Sequence, residues 1–155
     1  QRPVLVRYPH LHLDVAAREL APAEFPLAEQ VWSGYRGQKA DPVTDRIFAV
    51  FVEGHPAAVA RCRRHPNGLE VDGVFVPDEY RNRGYARKAV EALVAACGKE
   101  PLYMHSTVAL TGFYGTFGFL PIPERELPES IRARFGFAEG NLAGADASPM
   151  NRPPD

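Results

Sequence analysis

The passage from an extended run into a helix across residues 69–97 most narrows what this chain can fold into. Leu69 to Val76, "LEVDGVFV", is rich in β-formers, and Pro77 ends it. Soon afterwards a helical pattern begins near Asn82. Ala86, Ala89, Val90, Leu93 and Cys97 recur at helical spacing and predict one buried stripe, with Arg87, Lys88 and Glu91 on the wet side. Gly98 is a natural C-terminal stop. A strand feeding an amphipathic helix in this way must lay that helix across a sheet.

The sheet has further strands upstream. Ile47 to Val52 and Ala57 to Arg63 read as strands around a tight Glu53-Gly54 turn. Asn67-Gly68 signals a hairpin, because both residues tolerate positive φ. Leu69 to Val76 then completes a three-strand meander. Val4 to Tyr8 predicts an earlier strand, and Pro22 to Tyr35 one or two short helices interrupted by Pro26. Gly37 to Thr44 reads as loop. Downstream the pattern predicts a strand over Pro101 to His105 and a helix over Val108 to Phe117, weakened by Gly112 and Gly115. A strand over Phe119 to Ile122, a short helix over Pro128 to Phe135, a loop over Gly140 to Asp146 and a last strand over Ala147 to Arg152 follow, with a loose "RPPD" end.

Bulk properties exclude several classes. The 155 residues suit one domain, and a formal net charge of −1 points away from a polyanion partner such as nucleic acid. No run of about 18 apolar residues predicts a membrane span. The start "QRPVLVRYPH" lacks a signal-peptide pattern, so a cytoplasmic location is expected. Cys62 and Cys97 are distant and have no metal-ligand spacing, and Cys97 sits on the buried helix stripe as inert core. His10 and His12 share a face if extended, yet a metal site needs further ligands that the sequence does not identify. No metal is expected.

The junction itself carries chemistry. A helix N-terminus presents unpaired N–H groups and positive potential, and so binds anions, above all phosphates. Gly84 lets an oxygen approach without a Cβ in the way, Ala86 nearly so, and Arg81 and Arg83 add positive charge. The segment has neither the Gly-Lys-Ser/Thr of a P-loop nor Gly-x-Gly-x-x-Gly. It reads as a pyrophosphate cradle.

"VFVPDEYRNRGYARKAV" closely resembles motif A of the GNAT superfamily, the acyl-CoA-dependent N-acetyltransferases. Its Arg/Gln-x-x-Gly-x-Gly/Ala is here Arg81-Asn82-Arg83-Gly84-Tyr85-Ala86. About thirty residues later "FYGTFGF" resembles motif B, with Phe113-Tyr114 before Gly118-Phe119. Together with the meander, the resemblance covers about two-thirds of the chain. It implies an α+β GNAT fold: a mixed, mostly antiparallel central sheet, splayed between strands 4 and 5 and flanked by helices on both faces. It implies a single domain over 1–155, with about 123–146 an atypical insertion before the last strand. Acetyl-CoA would enter the splay as cosubstrate. Main-chain groups of Val74, Phe75 and Val76 would pair with its pantetheine arm, and the Phe75 or Val76 N–H would polarise the thioester carbonyl. N–H groups of Asn82, Arg83, Gly84, Tyr85, Ala86 and Arg87 would hold the pyrophosphate.

Acyl transfer from a thioester to an amine needs a deprotonated amine, a steadied oxyanion and a proton for the departing thiolate. Tyr114 matches the family tyrosine that faces the sulfur, and a phenol stays protonated at neutral pH. Strict alternation puts Glu70, Asp72, Val74 and Val76 on one face, so two carboxylates share the side that approaches the thioester. Glu70 lies where some family members carry a basic glutamate, acting directly or through water. Asp72, His105 and water alone remain alternatives. Trp32 and Tyr35 either border the acceptor pocket or are plain core. Thr107 stands where many members carry Asn against the pantetheine arm. The expected activity is direct acetyl transfer in a ternary complex to the primary amine of a small-molecule or peptide acceptor. A catalytically silent acyl-CoA-binding sensor is the alternative, and the resemblance also admits a homodimer.

Overall fold

The computed structural model describes residues 13–134 and 147–155. The Val4–Tyr8 strand, His10, His12, Phe135 and the loop expected over Gly140–Asp146 lie outside them. A seven-stranded mixed sheet forms the centre. In chain order its strands are β1 (Val15–Glu19), β2 (Asp45–Val52), β3 (His55–His65), β4 (Gly68–Phe75), β5 (Leu102–Thr107), β6 (Leu120–Pro121) and β7 (Ala147–Arg152). Their order across the sheet is β1-β2-β3-β4-β5-β7-β6. Among the described strands only β4 and β5 run parallel, and every other neighbouring pair is antiparallel.

Helices cover both faces. Helix α1 (Phe25–Trp32) buries Phe25, Ala28, Val31 and Trp32 against Ile47, Ala49 and Val59. Pro26 does not interrupt it. Pro26 occupies the first turn, where its missing N–H costs nothing. Helix α2 (Tyr85–Cys97) packs on the other face through Tyr85, Ala89, Val90, Leu93 and Cys97, against Phe48, Val50, Ala58 and Val71. Val90 and Leu93 are fully buried, each contributing about 1.5–3 kcal/mol. Ala86 is only half-buried, so the stripe begins at Tyr85 instead. With both faces covered, β2 alternates between two cores and reads as a nearly continuous apolar run. Two short helices follow, α3 (Thr111–Gly115) and α4 over 129–134.

Three local features depart from expectation. The β3–β4 turn is Pro66-Asn67, since His65 pairs with Gly68. Neither Asn67 nor Gly68 has a positive φ. Proline at the first turn position fixes a negative φ there, so the expected Asn-Gly geometry is unavailable. Gly68 has a packing reason instead, because an added Cβ would lie 3.0 Å from the Tyr103 ring. The C-terminal end is not loose: the Asp155 N–H donates to the Gly98 carbonyl at 2.9 Å and the Asp155 carboxylate meets Arg152 at 2.6 Å. An edge strand over Val15–Glu19, unmarked by any alternation, pairs with β2 through its whole length.

The feature that creates a site is a bulge in β4. Arg61 pairs with Asp72, but Val59 pairs with Phe75, so β4 carries one extra residue. Gly73 sits there with φ +62. An added Cβ would meet the Trp32 ring at 2.8 Å, while the Trp32 indole N–H donates to the Gly73 carbonyl at 2.8 Å. The bulge reverses the alternation. Glu70 and Asp72 share a face with Phe75, which packs on the α1 cluster, whereas Val74 and Val76 pack on the α2 cluster. The expected common face for Glu70, Asp72, Val74 and Val76 is therefore corrected. β4 and β5 pair only at Leu69↔Leu102 and Glu70↔Tyr103. Beyond that point they part, and β5 remains paired with β7 from Leu102 to Thr107.

Candidate active site

On the α2 side of the split, the chain leaves β4 through a short 3-10 turn, Asp78–Tyr80, and enters α2 through two left-handed residues. Asn82 has φ 64 and Gly84, the N-cap of α2, has φ 81. These conformations are why the helix begins at Tyr85 and not near Asn82. Gly84 has no side chain to cap the helix, so the first-turn N–H groups receive none. A Cβ built on Gly84 meets nothing within 4 Å. The corner is an open, uncapped helix N-terminus with no acidic residue in its first turn. The arginines around it are not equivalent. Arg81 donates to the Val76 carbonyl at 3.0 Å and pairs with Asp78 at 3.0 Å, which pins the loop. Arg87 donates to Thr116 at 3.0 Å and lies over the Phe113 and Phe117 rings. Arg83 is exposed.

On the α1 side the split opens into a cleft of ≈ 370 Å³. Its floor is ionic. The Arg61 guanidinium, 2 % exposed, is stacked on Trp32 and donates to both Asp72 oxygens at 2.7 and 2.9 Å, to the Lys39 carbonyl at 2.8 Å and to Gln38. Asp45, behind the cleft, holds Arg63 bidentately at 2.7 and 2.9 Å. Glu70, 2 % exposed, faces three partners: His65 Nε2 at 2.9 Å, Arg134 Nε at 3.1 Å and His105 Nδ1 at 3.7 Å. Arg134 also donates to Asp72 at 3.2 Å. The His65 Nδ1 meets the Ser130 hydroxyl at 2.8 Å, so α4 is tied to β3 and β4 by two polar links. Burial pushes the Glu70 carboxyl up, but His105, Arg134 and His65 outweigh it and hold Glu70 below its ordinary range.

Tyr114 lines the cleft from α3, packed edge-on against Phe113 and Phe119. Burial raises its phenol above the usual range, so it stays protonated. No described residue hydrogen-bonds its hydroxyl. Tyr35 stacks on Phe75 at 4.8 Å and borders the cleft, while Trp32 is fully buried core that also braces the bulge. His105 and Thr107 line the β5 wall. Cys62 and Cys97 are buried, and contact with Cys97 together with burial pushes the Cys62 thiol up.

Sequence comparison decides the family. The Acetyltransferase (GNAT) family model matches residues 14–119. The chain belongs to the GNAT acetyltransferase family. Solved GNAT structures share the fold. N-acetylglutamate synthase from Neisseria gonorrhoeae, complexed with coenzyme A and L-arginine, superposes with a TM-score of 0.67 at 14% identity over 90% of this chain. The chain spans 33% of that synthase. Escherichia coli ElaA (TM-score 0.64, 15% identity) and the E. coli ribosomal-protein-S18-alanine N-acetyltransferase (0.64, 16%) also match over 90% of this chain, and over 99% and 94% of their own lengths. No curated protein matches by sequence.

This GNAT chain brings Glu70, Asp72, His105 and Tyr114 to one cleft, with Val74 on its lining and Gly84 at the neighbouring corner. The sequence reading missed Arg61, Arg63, His65, Arg134 and the 38–39 loop. For Arg61 and Arg63 a signal existed: they face Asp72 and Glu70 across the hairpin once the turn is set at Pro66-Asn67. Arg134 had none, being 64 residues from Glu70. No helix among the described residues is long and apolar enough to cross a membrane.

Proposed function

We propose that the protein transfers an acetyl group from acetyl-CoA, its cosubstrate, to a primary amine, directly within a ternary complex. The observation that carries this is the split between β4 and β5 beside an uncapped helix N-terminus whose Gly84 leaves open space. Acetyl-CoA supplies the acetyl group as a thioester. The N–H groups from Asn82 to Arg87 suit its pyrophosphate. The end of β4 at Val74 and Phe75, and the N–H of the following Val76, whose carbonyl is held by Arg81, would offer main-chain partners for its amide-bearing arm at the split, as an added strand would. Coenzyme A in the solved synthase complex supports this side of the site. The names of that synthase and of the alanine N-acetyltransferase support an amine as acceptor.

Tyr114, kept protonated by burial, donates to the leaving sulfur. Glu70 is charged in the cleft and takes the ammonium proton directly or through water. Its guanidinium and imidazole neighbours make it a weak base, so it hands the proton on readily. Asp72 is held more tightly than Glu70: Arg61 donates to both its oxygens and Arg134 to one of them, whereas Arg134 is the one guanidinium that donates to Glu70 among the described residues.

The test joins calorimetry with CoA to thiol release across an amine panel, with mass spectrometry of the product. Stoichiometric CoA binding and an N-acetylated amine are expected. Tyr114→Phe should lower turnover about tenfold, roughly 1.4 kcal/mol, with CoA affinity unchanged. CoA binding without thiol release from any amine would mark the chain as an acyl-CoA sensor instead.

A further inference from the structure

Charge in the acceptor cleft is lopsided. Among the described residues its lining holds five cationic side chains, Arg36, Lys39, Arg61, Arg63 and Arg134, against the two carboxylates Glu70 and Asp72. Pairing removes two of the five outright, Arg61 with Asp72 and Arg63 with Asp45, and engages Arg134 in part through Glu70 and Asp72. Arg36 and Lys39 are exposed at the mouth and meet no carboxylate among the described residues. Arg36 lies over the Tyr35 ring at 4.9 Å, which places its charge beside the opening. Arg134 is different again. Its side chain is 36% exposed, and its Nη1 makes no described hydrogen bond while Nε and Nη2 face the floor.

Two carboxylates on a cleft floor would ordinarily trap an ammonium ion. Here both already accept from guanidinium groups, Asp72 from Arg61 and Arg134 and Glu70 from Arg134. What reaches an incoming molecule is the positive surplus. Such a cleft repels a simple cationic amine and attracts an anionic group. It also lowers the pKa of an ammonium drawn into it, which eases formation of the nucleophile beside a weak base.

We infer that the acceptor is a small amino acid, an amine and a carboxylate in one molecule, whose carboxylate docks on Arg134 with Arg36 and Lys39 at the cleft mouth. This rests on the acetyl-transfer reading of the same cleft. The carboxylate holds the molecule at the cation-rich end, and the amine points toward the β4–β5 split. The guanidinium fork suits a planar carboxylate, so Arg134 selects for charge and for shape.

The experiment titrates the CoA-loaded protein by calorimetry with the standard L-α-amino acids, their α-carboxamides and the matching decarboxylated amines. At least one acid should bind about tenfold or more tightly than its carboxamide, the difference of one charge-assisted contact. Arg134→Gln should erase that preference and Arg134→Lys should keep part of it, with CoA affinity the same in all three proteins. Lys39→Gln should weaken the preference by a smaller factor. The inference is overturned if no acid binds, or if carboxamide or amine equals the acid in every pair. Binding is read without turnover, so the two readings fail separately. A protein that binds the acid yet releases no thiol keeps the anionic acceptor and loses acetyl transfer. Thiol release that favours decarboxylated amines does the reverse.

Discussion

The corner at Gly84 and the cleft around Glu70 are built by opposite means. The corner is main chain: two left-handed residues, an uncapped helix start and empty space where a Cβ would stand. The cleft is side chain: guanidinium, carboxylate and imidazole groups drawn from β3, β4, β5, the 36–39 loop and α4. A backbone device needs only a short contiguous stretch. A side-chain device depends on residues that meet only in the fold, and it can be altered one residue at a time. The difference lets the corner be read from a short motif, whereas the cleft is assembled only by the fold.

That contrast breaks most sharply at Arg61. It is buried at the cleft floor with a carboxylate on one side and Trp32 on the other. Arg61→Ala leaves Asp72 with only the half-exposed Arg134, and it opens a void against the indole. Removing one partner of a buried pair costs about 3–5 kcal/mol. At about 2–4 °C per kcal/mol the midpoint of thermal unfolding should fall by roughly 10 °C. The double variant Arg61→Met with Asp72→Leu should recover part of the loss, since it removes both charges. A cost for Arg61→Ala below about 1 kcal/mol would mean that the floor is solvated and that this pair behaves as a surface ion pair.

The next effect belongs to the corner. Gly84→Asp puts a negative charge and a Cβ where the cosubstrate's pyrophosphate is proposed to sit. CoA affinity should fall about 100-fold, roughly 2.7 kcal/mol. Gly84→Ala serves as the control. It shares the backbone strain of φ 81, about 1–2 kcal/mol of stability, without the charge. Its loss of affinity should be tenfold or less. Equal losses in the two variants would show that backbone conformation, and not anion binding, is what Gly84 protects.

The same contrast explains what was legible in the sequence. The meander and the helix stripe from Ala89 to Cys97 follow from local periodicity, and the structure contains both, as it does the expected strand Ala147–Arg152; the helix expected over Val108 to Phe117 is shorter, Thr111–Gly115 after a 3-10 turn at Val108–Leu110. The Gly84 corner was legible because Arg81 to Ala86 is contiguous. The facing of Glu70 was not, for two physical reasons. First, a turn placed at Asn67-Gly68 moves each cross-strand partner by two residues and sets Arg63 opposite Asp72, whereas Pro66-Asn67 sets it opposite Glu70. Second, the Gly73 bulge cancels strict alternation, and its cause is the Trp32 ring, 41 residues away. Arg134 could not have been found from sequence: it enters from a segment with weak periodicity and meets Glu70 only through the fold.

The smallest effect is the response to acid, and it sharpens the contrast because the buried carboxylates among the described residues, Glu70 and Asp45, lie in the cleft and behind it and not at the corner. Burial pushes Asp45 up, but Arg63 and the Asp41 N–H bring it below its ordinary value, and Glu70 is likewise held low by His105, Arg134 and His65. A carboxylate depressed in the folded state adds stability above its unfolded pKa and loses it as pH falls through the folded value. Between pH 7 and about 5 urea midpoints should therefore change little on account of these groups. Below about 4.5 the unfolded chain takes up protons that the folded chain refuses, and stability should decline by at most about 1.4 kcal/mol per pH unit for each group. Glu70→Gln should be less stable than the parent at pH 7, where it leaves Arg134 with Asp72 as its one remaining carboxylate among the described residues. It should also decline less steeply in acid, so the two curves converge as pH falls. Gly84→Asp should keep the parent's slope, since its new carboxylate stands in open space. Parallel curves for parent and Glu70→Gln down to pH 3 would mean that the Glu70 network adds no charge-dependent stability and that the cleft's ion pairs serve selectivity alone.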